Sequence, residues 1–358
     1  MSDGRTPLRP RPLRWGMWAA GALVLLALPF YLDRFWLQAG LFAMAAAIGA
    51  IGLNLLTGAA GQLSLGHAFF LAVGAYGYCV FAGESTGSQI GLALPTWLAA
   101  VLAVLVSGVA GGLFSPVAGR LRGAYLGIAT LALIFIGQHV LFNARDVTGG
   151  FNGRDVPPLS LFGLTFDDAE VVVAAVPFGS SEKLWYAGLL LLLGSGLFAR
   201  GVLRGRPGRA LNALRDHQVA AGVIGVPVAR YRGAVFVLSS MYAGIAGVLL
   251  ALVFQRTVPD YFGMALSLEY LAMIVIGGLG SVGGAVVGAV FVSLLPQLLT
   301  RYSDVLPLVS DPGSGGVAPG EASRYLYGAA VVAVVLFLPG GLTSIAARRI
   351  RTTPREKR

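Results

Sequence analysis

What most restricts this chain is a series of apolar runs, several of 17 or more residues, separated by charged or turn-forming breaks. At 1.5 Å per residue, such a run crosses a hydrocarbon layer roughly 30 Å thick. Lipid offers no hydrogen bonds to the backbone, so runs of this kind must be helices. The breaks place segments near residues 15–32, 36–56, 63–82, 92–115, 124–142, 184–200, 233–253, 266–277, 283–299 and 324–343. Composition agrees. With 56% hydrophobic and 12% charged residues, a soluble core would lack the polar surface to cover it. The 51 glycines let helices approach closely. The expected fold class is all-α: a polytopic transmembrane helix bundle of about ten membrane segments, some broken or re-entrant, with both termini cytoplasmic.

The first run follows basic residues but leads into Phe30, Tyr31 and Phe35 without a small-residue cleavage pattern, so it reads as a retained anchor. The stretch Ser267 to Leu299 would span ~50 Å as one helix, too long for one crossing, whereas 266–277 alone reaches only ~18 Å. It must break at Gly277-Gly278-Leu279-Gly280-Ser281-Val282-Gly283-Gly284, where five glycines weaken the helix. Two crossings there, or a re-entrant hairpin, put the basic N-terminus 1–14 and the tail 344–358, with Arg348, Arg349, Arg351, Arg355, Lys357 and Arg358, on one side. Basic residues then concentrate in the inner loops and acidic ones in the outer loops, following the positive-inside rule. Topology and anionic headgroups thus account for the net charge of +10, and no nucleic-acid partner is expected. The membrane-spanning body is 15–343, with an outer loop 143–183 and a basic inner loop 201–232. A short strand or helix is expected in the outer loop around Asp167 to Val176.

Enzymatic chemistry finds little support. The only lysines, Lys183 and Lys357, do not follow glycine, so no GxxxxGK[ST] phosphate loop exists. His67, His139 and His217 lie far apart, Cys79 is the single cysteine, and HExxH does not occur. No catalytic residue, metal site or cofactor is expected. His67, His139 and Glu269 are the ionisable groups expected within spans. His67 is either a packing residue or a proton carrier. Glu269 meets either a substrate ammonium or interfacial water, and Gln138 and His139 are interfacial.

The polar passage from Gly52, GLNLLTGAAGQLSLGHAFFLAVGAY, is different. Asn54, Thr57, Gln62, Ser64 and His67 interrupt an apolar stretch, and each unpaired polar group in lipid would cost several kcal/mol. They must face protein or a wet cavity. Gly58, Gly61 and Gly66 permit an unwound segment that presents backbone to a solute; a tight turn with interhelical hydrogen bonds is the alternative. Gly277, Gly278 and Gly280 carry the same pair of readings.

That passage, with GRLRGAYLGIATLAL from Gly119, VTGGFNG from Val147 and IGGLGSVGGAVVGAVF from Ile276, resembles the permease subunits of branched-chain amino acid importers, in their LivM-like branch. The resemblance runs from about Leu41 to Leu342. It implies a plasma-membrane subunit paired with a homologous LivH-like permease, two cytoplasmic ATPase subunits and an extracytoplasmic solute-binding protein. The segment GRALNALRDHQVAAGVIGVPVARYR from Gly208 is similar to the family's coupling loop, which implies ATPase contact at Leu211, Leu214, Asp216, Ala220, Ala221 and Gly225. His217, Gln218 and Gly222 stand where the family usually has acidic residues. Independently, Arg209 to Ile224 reads as one amphipathic helix with Leu211, Leu214, Ala221 and Ile224 on its apolar face. A surface helix lying on lipid headgroups is the bland alternative. The family also includes permeases for urea and other small solutes. A self-contained channel or secondary transporter is the rival class, and an intramembrane enzyme the third.

Overall fold

The computed structural model describes residues 21, 23–121, 123–161, 163–167, 171–173, 176–302, 318–338 and 341–342. Helical residues 23–27 and a 3-10 turn, Leu28–Phe30, lead in. The bundle then follows as α1 (Arg34–Leu53), α2 (His67–Ala82), α3 (Thr96–Arg120), α4 (Ala124–Asn143) and α5 (Ser180–Arg204). A short pair, α6 (Arg206–Asp216) and α7 (Gln218–Val223), precedes α8 (Val228–Phe254), α9 (Met264–Gly277), α10 (Val282–Arg301) and α11 (Pro319–Phe337). Among the described residues, six helices are long and apolar enough to cross a membrane, and α2 and α9 are shorter apolar helices. The all-α polytopic bundle expected from the apolar runs is therefore what the chain forms. The basic end segments 1–14 and 344–358 lie outside the described residues.

Helices α1 and α8 are buried nearly all round, whereas α3, α4, α5 and α10 bury one face. An apolar helix with no polar face belongs in a core or against lipid, and both cases occur here. On α3, Trp97, Val101, Leu105, Val109 and Leu113 recur every fourth residue and are all exposed, Leu113 most of all at 78%. Such a stripe needs hydrocarbon or an apolar partner surface against it. The opposite face of α3 uses small residues: Ser107 donates to the carbonyls of Phe70 and Ser240, both at 2.9 Å, joining α2, α3 and α8.

Hydrogen bonds sort the bundle into two ends. At one, Arg215 reaches Gly58, Arg232 reaches Gly119 and Leu121, and Asn54 reaches Gly280 and Ser281. Gly341 packs on Gly278 at the same end. At the other, Thr96 bonds to Ser160, Ile90 to Asp146, and a two-residue ladder joins Arg154–Asp155 to Arg256–Thr257. The loop 143–183 also holds the hairpins Ser160–Leu161/Leu164–Thr165 and Val171–Val173/Val176–Phe178, so the stretch around Asp167 to Val176 contains strand.

Several boundaries differ from the apolar runs for physical reasons. The run from residue 92 becomes helix only at Thr96, after Pro95, because the N–H groups of Leu92, Ala93 and Leu94 bond to carbonyls at the end of α2. The run from 63 becomes helix only at His67. The single amphipathic helix expected over Arg209 to Ile224 is two helices, broken at His217, whose φ of −150° and ψ of 94° are extended. Ile224, expected to share an apolar face with Leu211, Leu214 and Ala221, is 75% exposed while those three are buried.

Candidate functional site

The polar passage lies where α1 loses its α-helical pitch. From Asn54 to Ala59 the chain forms a π-helical turn, and residues 61–66 are unwound before α2 starts at His67. Such wide turns concentrate at functional positions because they release backbone groups from the helix ladder. The unwound strand climbs beside α4: Leu65 N–H donates to Thr130 Oγ1 at 2.9 Å. The first turn of α2 has orphan N–H groups, as every helix start does. Ser267 on α9 supplies an acceptor, taking the N–H of Ala68 at 2.9 Å.

Asn54 is 2% exposed and joins the two broken regions. Its amide nitrogen donates to the Ser281 carbonyl at 2.8 Å, and its Oδ1 accepts the Gly280 N–H at 2.8 Å. Gly278 and Gly280 have φ of 118° and 80°, which side-chain-bearing residues rarely adopt. The glycine-rich break is thus a tight connection between α9 and α10 held by a side chain from α1. Thr57 Oγ1 closes its own turn by donating to the Gln62 carbonyl at 3.0 Å. Gln62 donates to the Arg232 carbonyl at 3.3 Å, while its Oε1 is buried with no partner among the described residues. A polar cavity of about 200 Å³ adjoins it, lined by Gly61, Gln62, Gly123, Leu214, Arg215 and Arg232 among others.

The expected path residues therefore fall in two places. Asn54, Thr57, Gln62, Gly277, Gly278 and Gly280 gather at one end of the bundle. Ser64 and His67, each 2% exposed, lie further in, where the His67 ring meets Tyr270 edge-on at 4.9 Å. Among the described residues, His67 Nε2 and the Tyr270 hydroxyl are buried without partners. Tyr270, Ser267, Thr130 and Arg232 escaped sequence reasoning, since a single Ser, Thr or Tyr in an apolar run gives no sign of which distant helix it serves.

The helix pair α6–α7 is fastened to this junction. Arg215 Nη1 donates to the Gly58 carbonyl at 2.9 Å, inside the π turn. Leu211, Leu214 and Ala221 are buried within the chain itself, and Ala220, Asp216 and Gly225 are exposed, with Asp216 held by Arg215 at 3.2 Å. Outward, α7 and its end present Val219, Val223 and Ile224, exposed by 75%, 83% and 75%. So the apolar face that remains free is not the one expected from the periodicity of Leu211, Leu214 and Ala221.

Residues 37–335 match a family described as the branched-chain amino acid transport system / permease component. The chain is 30% identical over 341 residues to the high-affinity branched-chain amino acid transport system permease protein LivM of Salmonella typhimurium, covering 92% of this chain and 75% of that one. It is 27% identical over 273 residues to LivH of Escherichia coli K12, covering 72% and 82%. A shorter match, 32% over 130 residues and 35% of this chain, is to the autoinducer 2 import system permease protein LsrC of Klebsiella pneumoniae. No solved structure matches the chain.

Proposed function

This chain belongs to the branched-chain amino acid transport permease family, and on that premise we propose that it forms half of the import path for branched-chain amino acids, powered by ATP hydrolysed in partner subunits. The amino-acid cargo rests on the near full-length similarity to LivM, against which the LsrC match covers about a third of the chain. The reading places this multi-pass subunit in the plasma membrane beside a LivH-like permease, with two ATPases below and a solute-binding protein above. The end bearing Gly58 and Gly280 is cytoplasmic, as are both termini and the basic loop 201–232; loop 143–183 is outside. Hydrolysis belongs to the partners because this sequence has no phosphate loop.

One observation carries the mechanism: the Arg215–Gly58 bond ties the α6–α7 pair to the π turn that opens the unwound segment. Movement of the pair relative to the bundle acts directly on the backbone from Gly58 to His67, and through Asn54 on the α9–α10 connection. Exposed Val219, Val223 and Ile224 are the apolar groups available to seat in an ATPase groove. The unwound backbone beside Gln62 and Ser64 is the element that lines or supports the solute path.

The test is the double substitution Val219→Asp and Val223→Asp in the reconstituted importer. Charges at a buried contact remove a hot spot, worth about 2 kcal/mol or more, so solute-stimulated ATP hydrolysis should fall more than tenfold. The purified chain should keep its thermal stability, since both side chains face away from the bundle. Undiminished stimulated hydrolysis would detach α7 from the mechanism. Ala221→Glu is a different experiment, because Ala221 is 2% exposed and the substitution strains the chain's own packing.

A further inference from the structure

A second cavity, of about 170 Å³, lies in the outer half of the bundle between α1, α8, α9 and α10. It is well below the roughly 300 Å³ at which drug-sized pockets begin, and its lining is mostly apolar. Two features set it apart from a packing defect. Its wall is aromatic, with Phe42 and Phe254 rings 5.0 Å apart and Phe254 stacked on Tyr261 at 4.5 Å. Glu269 is also the one acidic residue in its lining.

An acidic group in a membrane span requires a partner, and the partners of Glu269 are incomplete. Tyr327 on α11 donates to Oε1 at 3.1 Å, and Arg324, itself 59% exposed, stands 4.0 Å from the same oxygen. Among the described residues, no donor reaches Oε2. A carboxylate oxygen accepts two hydrogen bonds readily, and aromatic faces attract a cation through their quadrupoles. An aliphatic body has the apolar remainder of the wall, including Leu250, Leu266 and Met273.

We propose that this cavity is a binding site for a small primary ammonium compound with a branched aliphatic tail, the ammonium on Glu269 Oε2 beside the aromatic rings and the tail against Leu250, Leu266 and Met273. Its biological occupant, a branched-chain amino acid on its way inward, rests on the function proposed above; the ammonium chemistry does not. Arg324 is then available to the carboxylate of the same zwitterion.

Titration of the full-length chain in lipid nanodiscs tests the site without ATP or partner subunits. L-leucine and isopentylamine should bind, whereas 4-methylpentanoate, which has the tail and carboxylate but no ammonium, should not. Glu269→Gln, which still accepts from Tyr327, should weaken isopentylamine binding at least tenfold. Tyr327→Phe breaks the α9–α11 hydrogen bond but keeps the carboxyl, and should change binding less than threefold. Equal binding of 4-methylpentanoate, or unchanged affinity in Glu269→Gln, overturns the proposal. Phosphatidylethanolamine carries the same ammonium group, so titrations are run in discs with and without it. Weaker isopentylamine binding in its presence would assign the site to a lipid headgroup and overturn the solute assignment. Loss of ATP-driven uptake in some other experiment leaves these titrations untouched, so the two readings fail separately.

Discussion

Replacing Asn54 by leucine should cost the protein about 1–3 kcal/mol and most of its transport. Leucine keeps the branched shape of the side chain, but the Gly280 N–H loses the Oδ1 it donates to at 2.8 Å. A backbone N–H stranded in a partly buried turn incurs its full desolvation penalty, which sets that magnitude. The Ser281 carbonyl loses the Asn54 amide too, yet keeps the Ala285 N–H at 3.0 Å, so its loss is smaller. The consequence for transport exceeds the stability figure, because Asn54 is the side chain that makes the π turn and the α9–α10 connection move as one. Thermal unfolding in detergent and uptake in proteoliposomes check both parts. Wild-type values for both would mean that the two broken regions are mechanically independent.

Gly288→Leu should prevent the chain from assembling at all. A Cβ at Gly288 would stand 1.9 Å from the Met273 carbonyl oxygen and 2.9 Å from the Gly277 nitrogen, which are backbone atoms of α9 and cannot swing aside. The α9–α10 hairpin depends on this approach, and separating the helices would also pull Tyr270 and Ser267 from α1 and α2. Ordinary overpacking costs about 1–3 kcal/mol where side chains can rearrange, and here only backbone can yield. Gly283→Leu is the matched control: it lies on the same helix, and nothing falls within 4 Å of its Cβ position. Size-exclusion profiles of the two variants decide the matter. A monodisperse Gly288→Leu protein at wild-type yield would contradict the close approach.

The sequence carried the architecture further than the site. Apolar length located α1–α5 and α8–α11 to within about six residues at each boundary, because hydropathy and the need to pair backbone groups act locally. Distant pairings were invisible. Asn54 is separated from Gly280 by 226 positions and Ala68 from Ser267 by 199, and nothing about an Asn or a Ser specifies its partner. The glycine-rich break was legible as a break since glycine lowers helix stability wherever it occurs. That Gly280 adopts a positive φ while Gly288 admits a carbonyl at close range depends on the facing helix. The amphipathic reading of Arg209 to Ile224 failed at one residue: Leu211, Leu214 and Ala221 are buried as their spacing suggests, but the extended backbone at His217 rotates α7. Val219, Val223 and Ile224 thereby replace them as the exposed apolar face.

We propose that this chain is a passive path whose movement is driven from outside itself by ATP. It is tested by measuring L-leucine uptake into proteoliposomes containing this chain, a LivH-like permease, the ATPase subunits and the solute-binding protein, with ATP supplied only on the side of loop 201–232. Concentrative uptake that stops when ATP or the ATPase subunits are omitted is the predicted result. Uptake at the same rate by this chain alone, without ATP, would make it a self-contained channel or secondary transporter and contradict the account.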